Sequence, residues 1–231
     1  MHVKGWVKST LVDYPGKVAV SFFCGGCNFC CPNCHNPALV LHPEQSPDVS
    51  EDEIWAFLSK RRGLLDGIVI SGGEPTLQPD LPAFAMRAHE MGYHVKLDTN
   101  GYRPVVLKAL IDARAVDYVA MDVKAPLADY GQAAGRSIDV GRIEQSISLL
   151  RTEGILYEFR TTVVPGLLVE QDIESIARSI RGARTYYLQQ FSPHNTLDPE
   201  MQSLEPYPPE RIRAMAELAR LLIPKVGVRG L

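Results

Sequence analysis

Residues 17–37 read KVAVSFFCGGCNFCCPNCHNP, an apolar, β-branched run that passes directly into a loop holding every cysteine of the chain: Cys24, Cys27, Cys30, Cys31 and Cys34. The run has the length and composition of a strand. The residues between the thiols are mostly Gly, Asn and Pro, which build turns rather than helices or strands. Structural cysteines normally scatter through a core. Neighbours such as Cys30 and Cys31 rarely reach disulfide geometry, and an odd number leaves one thiol unpaired. A thiol group this dense points to metal binding or catalysis.

The rest of the composition is ordinary. The chain has 231 residues, 45% hydrophobic and 22% charged, with a formal net charge of −3. That is enough apolar material for a sizeable core. The charge leaves no broad basic footprint for nucleic acid or an anionic membrane. No apolar run approaches the ~18 residues of a membrane span. The opening MHVKGWVKSTLVDYPGK has no apolar stretch or small-residue cleavage site of a signal peptide. The expected location is the cytoplasm, where thiols stay reduced.

Outward from the first run, five more have strand character: 67–71, 94–99, 118–122, 157–164 and 185–191. Helical patterns lie between them, over the segment after Ser50 and at 80–91, 104–113, 141–153 and 171–181, with a last one in PPERIRAMAELARLL. Ser50 and Glu53 fit a capping box. Gly92, Gly154 and Gly182 lie where helices should stop. Alternating strand and helix implies a parallel sheet. Six units in this length predict an α/β fold, a partial (βα)6 TIM-like barrel forming one domain over residues 1–231. Residues 192–209, rich in Pro, Asn and Asp, read as a long surface loop or lid.

In such a barrel, chemistry belongs at the C-terminal strand ends, and the unusual residues fall there. The cysteine loop follows the first run and GGEPT (72–76) follows the second. Asp98 and Asn100 end the third, while Asp122 and Lys124 end the fourth. Alternation puts His94, Lys96 and Asp98 on one face, Tyr118, Ala120 and Asp122 on another, and Glu158, Arg160 and Thr162 on a third.

Three thiol subsets compete. Cys24, Cys27, Cys31 and Cys34 form two CxxC pairs, but only three residues separate the pairs, too few for a usual zinc ribbon. Cys24, Cys27, Cys30 and Cys34 have ferredoxin-type spacing, with His35 where proline normally follows. Cys27, Cys31 and Cys34 form C-x3-C-x2-C. Three thiolates leave one iron of a 4Fe–4S cube open to a cofactor.

CNFCCPNCHNP (27–37) resembles the cluster loop of radical S-adenosylmethionine enzymes, and SGGEPT (71–76) resembles their GGEP motif, about forty residues further on. DYPGK (13–17), CHNP (34–37), DTNG (98–101), MDVKAP (121–126) and RTTVVPG (160–166) extend the resemblance to the activating proteins of anaerobic, class III ribonucleotide reductase, a branch of the glycyl-radical-enzyme activases. The resemblance implies that Cys27, Cys31 and Cys34 ligate the cluster, with Cys24 and Cys30 as fortuitous extras. An external one-electron donor, a flavodoxin or ferredoxin, reduces it. S-adenosylmethionine is cleaved to a 5′-deoxyadenosyl radical, which takes hydrogen from a glycine of the partner reductase.

The same resemblance distributes the cofactor contacts. Gly72 and Gly73 admit the methionine end, and Glu74 receives its ammonium. Asp98 and Asn100 bond the ribose; alternatively Asp98 and Asp122, with Thr99, hold a monovalent cation. Lys124 and Arg160 face the carboxylate, although Glu158 offers Arg160 an interior partner. His35 and Asn36 line the adenine, and Asn33 stands where the superfamily commonly has an aromatic residue. A histidine that follows phenylalanine in pyruvate formate-lyase activases is replaced here by Ser192 after Phe191, leaving His194 as a solvated lid residue. The competing readings are another glycyl radical enzyme or a small molecule as target, and a non-catalytic zinc or electron-transfer module.

Overall fold

The computed structural model describes all residues, Met1–Leu231. They form two compact units, the first of Met1–Asn28, Ala38–Thr99 and Val105–Val119, the second of Phe29–Pro37, Asn100–Pro104 and Ala120–Leu231.

The first unit carries β1 (Val3–Thr10), β2 (Ala19–Cys24), α1 (Pro37–Leu41), α2 (Glu51–Lys60), β3 (Gly67–Gly72), α3 (Leu81–Glu90), β4 (His94–Thr99) and α4 (Pro104–Asp112), then enters β5 (Tyr118–Asp122). β2, β3 and β4 pair in parallel, with Ser21 opposite Val69 and Val69 opposite Lys96. β1 pairs antiparallel with β2. The central strands are apolar on both faces, as parallel strands covered by helices must be. α2 and α3 cover one face: Trp55 packs on Phe84 with ring centres 4.6 Å apart, and Phe84 on Phe22 of β2 at 5.7 Å. Tyr14 of the DYPGK turn is buried with Ala19 and Val69.

The second unit continues from β5 through α5 (Tyr130–Ala134), α6 (Val140–Thr152), β6 (Leu156–Val163), α7 (Glu170–Ser179), β7 (Tyr186–Gln190), α8 (Pro209–Arg220) and β8 (Val226–Arg229). β6, β7 and β8 are parallel, with Arg160 opposite Tyr187, and Tyr187 opposite Gly227. Pairing keeps side chains of opposed residues on one face, so Glu158, Arg160 and Thr162 share a surface with Tyr187, Gln189 and Arg229. Glu158 is fully buried and binds Arg229 through both oxygens, at 2.6 and 2.8 Å.

The α/β alternation of a partial (βα)6 TIM-like barrel is therefore present, and its six expected strands are β2 to β7. The sequence reading missed β1 and β8. β1 has polar residues and a glycine along an exposed edge, and β8 is only four residues long. Ser50 does sit at the N-terminus of α2, but its side chain makes no capping hydrogen bond, so the expected capping box does not form. Gly92, Gly154 and Gly182 end their helices with φ of 91°, 74° and 87°, as expected.

Candidate active site

In the first unit, the end of β3 and the start of the thiol loop are built against each other. Gly73 N–H donates to the Cys24 carbonyl and Glu74 N–H to the Gly26 carbonyl, each at 2.8 Å. A Cβ on Gly72, whose φ is 112°, would lie 2.3 Å from Cys24 N, and one on Gly73 would lie 2.0 Å from the Gly26 oxygen. Neither position can carry a side chain, because the loop backbone fills the space before any ligand arrives.

Glu74 is 1% exposed. Its Oε1 accepts from Thr76 N (3.1 Å), Thr76 Oγ1 (2.5 Å) and Thr99 Oγ1 (2.8 Å), which fixes the carboxylate at the strand ends. Asp98 accepts from Ser71 Oγ at 3.1 Å and is ion-paired to the buried ammonium of Lys96. Alternation puts Lys96 on the Asp98 face, but no motif marks it as a site residue. Cys24, at the end of β2, is fully buried; burial, assisted by the Glu74 charge, pushes its thiol up to about 12. A thiol that resists ionisation is a poor metal ligand. Cys27 is half-buried in the loop.

In the second unit, Phe29 is buried against Tyr102 and Tyr130, at ring distances of 5.4 and 6.5 Å. Cys30 is held by its backbone, N–H to the Ala134 carbonyl at 2.9 Å, and its sulfur accepts from the Arg136 guanidinium at 3.1 Å. Gly135 has φ 68°, and a Cβ there would meet the Cys30 oxygen at 1.9 Å. Cys31 and Cys34 are joined by Cys34 N–H to the Cys31 carbonyl at 3.0 Å. Burial raises both thiols, and the Lys124 ammonium opposes that shift.

Asp122 ends β5 between two cations, Arg160 Nε at 2.9 Å and Lys124 Nζ at 3.3 Å. Tyr130, fully buried, donates its hydroxyl to the Asp122 carbonyl at 3.2 Å and receives Lys124 N–H at 3.3 Å. A small cavity opens beside this group, lined by Asn33, Asp122, Lys124, Arg160 and Thr162 on its polar side and by Val164, Leu167 and Leu168 on its apolar side. The structure thus gathers Asn33, Asp122, Lys124 and Arg160. Arg160 pairs with Asp122 rather than with Glu158, which Arg229 has taken.

Asn100 behaves as a turn residue. Its Oδ1 accepts Tyr102 N–H at 3.0 Å, and Gly101 follows with φ 74° because a Cβ would strike Met121. His35 points its ring to the Ser192 carbonyl, and His194 is exposed as expected. The expected surface loop 192–209 holds only a short 3-10 turn at Pro199–Ser203, and its first part is anchored, since Thr196 is 4% exposed and Asn195 bonds to the His35 carbonyl. Tyr130, Lys96 and Asn195 were not singled out in the sequence as site residues. Tyr130 and Asn195 lie outside any motif, and only contacts reveal them.

No two cysteines are joined by a disulfide. No three His, Cys, Asp or Glu side chains close tightly enough to cage a single ion. A polynuclear cluster, whose thiolates sit on separate irons, does not need such a cage, and a soft all-thiolate donor set suits iron–sulfur chemistry.

The fold is shared with solved structures. Streptococcus suis SuiB superposes with a TM-score of 0.68 at 12% identity, over 91% of this chain and 48% of that one. A domain of a pyruvate-formate lyase-activating enzyme from Bacteroides vulgatus does so with 0.57 at 18% identity, over 71% and 99%. By sequence, the chain is 38% identical over 98% of its length to a Methanocaldococcus jannaschii protein provisionally named as a glycyl-radical enzyme activating enzyme, 95% of which is covered. It is 26% identical to the pyruvate formate-lyase-activating enzyme of Streptococcus mutans, over 94% of this chain and 91% of that one. Residues 21–180 match the profile of the Radical SAM superfamily. The chain belongs to that superfamily, whose chemistry runs on a 4Fe–4S cluster and S-adenosylmethionine.

Proposed function

We propose that this chain, acting as one radical S-adenosylmethionine domain, activates the anaerobic ribonucleotide reductase by generating its glycyl radical. Near end-to-end similarity to proteins named as glycyl-radical enzyme activating enzymes, 98% of this chain in one case and 94% in another, supports the activase part of the reading, and the motifs DYPGK, DTNG, MDVKAP and RTTVVPG support the reductase as its target. The profile match from 21 to 180 draws on both compact units, which supports reading the chain as a single functional domain.

Cys27, Cys31 and Cys34 would hold the cluster, and Cys24 and Cys30 would not. When bound, the cluster and S-adenosylmethionine supply a one-electron cleavage whose 5′-deoxyadenosyl radical removes hydrogen from a glycine Cα; the electron comes from an external donor such as a flavodoxin or ferredoxin.

The protein supplies position and charge. Lys124 and Arg160 bind the substrate carboxylate, and Asp122 keeps both side chains oriented while it waits. Glu74, locked by Thr76 and Thr99, faces the substrate ammonium. Val164, Leu167 and Leu168 keep one side of the cavity apolar and limit water there. Asn33, His35 and Asn36 provide loop contacts to the nucleoside, while Gly72 and Gly73 keep backbone close to the methionine end. Asp98 and Asp122 each already have a basic partner, Lys96 and Arg160, so a monovalent cation is not part of the proposal.

A second reading, activation of another glycyl radical enzyme, is favoured by the similarity to the Streptococcus mutans activase. One experiment separates the two. The reduced, reconstituted protein is mixed with S-adenosylmethionine and either anaerobic ribonucleotide reductase or pyruvate formate-lyase, and the electron paramagnetic resonance spectrum is recorded. A glycyl doublet only with the reductase supports the first reading. A doublet only with the lyase supports the second. Robust cofactor cleavage with no doublet from either sinks the first reading and the lyase as target, and favours a small-molecule target.

A further inference from the structure

The half of the thiol loop in the second unit, residues 29–36, contains no helix or strand. Its shape therefore depends on ties from outside the loop. Segment 192–198, which follows β7, supplies three. Asn195 Nδ2 donates to the His35 carbonyl at 2.9 Å. The His35 ring bonds through Nε2 to the Ser192 carbonyl at 2.9 Å. Asp198 N–H donates to the Pro32 carbonyl at 2.9 Å. Two of these fall on the residue after Cys34 and one on the residue after Cys31. The segment is itself anchored: Phe191 is buried, and buried Thr196 donates to the Asp198 carbonyl at 2.8 Å.

Asn195 is also one of two non-glycine residues with positive φ, at 54°. Asparagine tolerates that left-handed conformation better than most side chains. Glycine would supply the conformation without the amide. Aspartate would match it in size but could only accept. Asparagine meets both demands at once, turning the chain and presenting a donor to His35.

We infer that Asn195 is a positioning residue for the thiol loop: through the His35 carbonyl it sets the attitude of Cys34, in concert with Ser192 and Asp198. The inference rests on the reading that this loop carries the cluster. Ligands on an irregular loop must be held within a fraction of an ångström, and a preformed set of external bonds does this at less entropic cost than ordering the loop on binding.

The test compares wild type with Asn195→Asp and Asn195→Gly in the full chain. Amide hydrogen exchange is measured first, before iron is added. Exchange in residues 31–36 should quicken about fivefold in both variants, the effect of one lost hydrogen bond, with the rest of the chain unchanged. After reconstitution, both variants should show an altered change in the cluster's paramagnetic resonance spectrum on adding S-adenosylmethionine, and a raised KM for it with kcat little changed. Exchange, spectrum and KM all equal to wild type would overturn the inference. Faster exchange with wild-type spectrum and KM would also overturn it, because Asn195 would then be structural only. A wild-type protein that takes up no iron would instead overturn the reading of the loop, and the exchange data would still decide whether Asn195 holds it.

Discussion

Arg160 reaches Asp122 through Nε, at 2.9 Å, and both side chains line the cavity that Lys124 also lines. A guanidinium is a planar fork that can meet carboxylates along more than one edge, whereas an ammonium is a point charge without that geometry. Arg160→Lys should therefore weaken S-adenosylmethionine binding about tenfold, with little change in thermal midpoint. An anaerobic binding isotherm reads this directly. Unchanged affinity would reduce Arg160 to a partner for Asp122.

The Glu158–Arg229 pair tests the packing of the second unit. Glu158 is fully buried, and Arg229, whose guanidinium carbon lies 3.6 Å from the centre of the Tyr187 ring, is partly exposed. Arg229→Met strands a carboxylate in the interior and should cost about 3 kcal/mol in urea denaturation. Adding Glu158→Leu should recover much of that loss, because the stranded charge disappears. A single variant as stable as wild type would show that the carboxylate finds water or another partner.

Cys30 and Cys31 are adjacent but serve different purposes. Cys30 docks on Ala134 and Gly135 by its backbone, so Cys30→Ser should keep iron uptake and cofactor cleavage near wild type. Cys31→Ser should abolish both. Gly135→Ala should reduce iron uptake severely, because its Cβ would sit 1.9 Å from the Cys30 oxygen. Iron and sulfide counts after anaerobic reconstitution check all three. Loss in Cys30→Ser with retention in Cys31→Ser would shift the assignment to ferredoxin-type spacing.

Cys24 gives a pH-dependent readout. Its thiol is pushed from 9.0 up to about 12 by burial, so the folded form holds its proton through a window where the unfolded chain loses it. This contribution to stability is therefore present below about pH 9 and declines as pH rises towards 12. In the native protein at pH 8 to 9, about the ordinary thiol range, Cys24 should be the last of the five to react with iodoacetamide. Mass mapping that finds it among the first would contradict its buried, neutral state.

The strand–helix alternation was readable because the central strands are apolar on both faces and the helices between them end at glycines such as Gly92 and Gly154. β1 was not, since Val3–Thr10 lies at the sheet edge, where lysines and a glycine blur the pattern. The thiol loop and GGEP could be located by spacing, and the strand-end position of Asp122 and Lys124 by counting. What spacing could not tell was which charge each acid meets. Arg160 chose Asp122, and Glu158 chose Arg229 from a strand not anticipated. The glycines of GGEP suggest room for a ligand, whereas their missing Cβ atoms are demanded first by Cys24 and Gly26. Asn195 lies about 160 residues from its partner His35, and no local pattern carries such a contact.

In the proposed function, three thiolates, Cys27, Cys31 and Cys34, leave one corner of an iron–sulfur cube for S-adenosylmethionine. The most direct measurement is anaerobic reconstitution followed by dithionite reduction with S-adenosylmethionine present. About four irons per chain, with 5′-deoxyadenosine and methionine formed together, is the expected result. Stoichiometric zinc in place of iron, or a four-iron cluster that binds no cofactor and releases neither product, would contradict it.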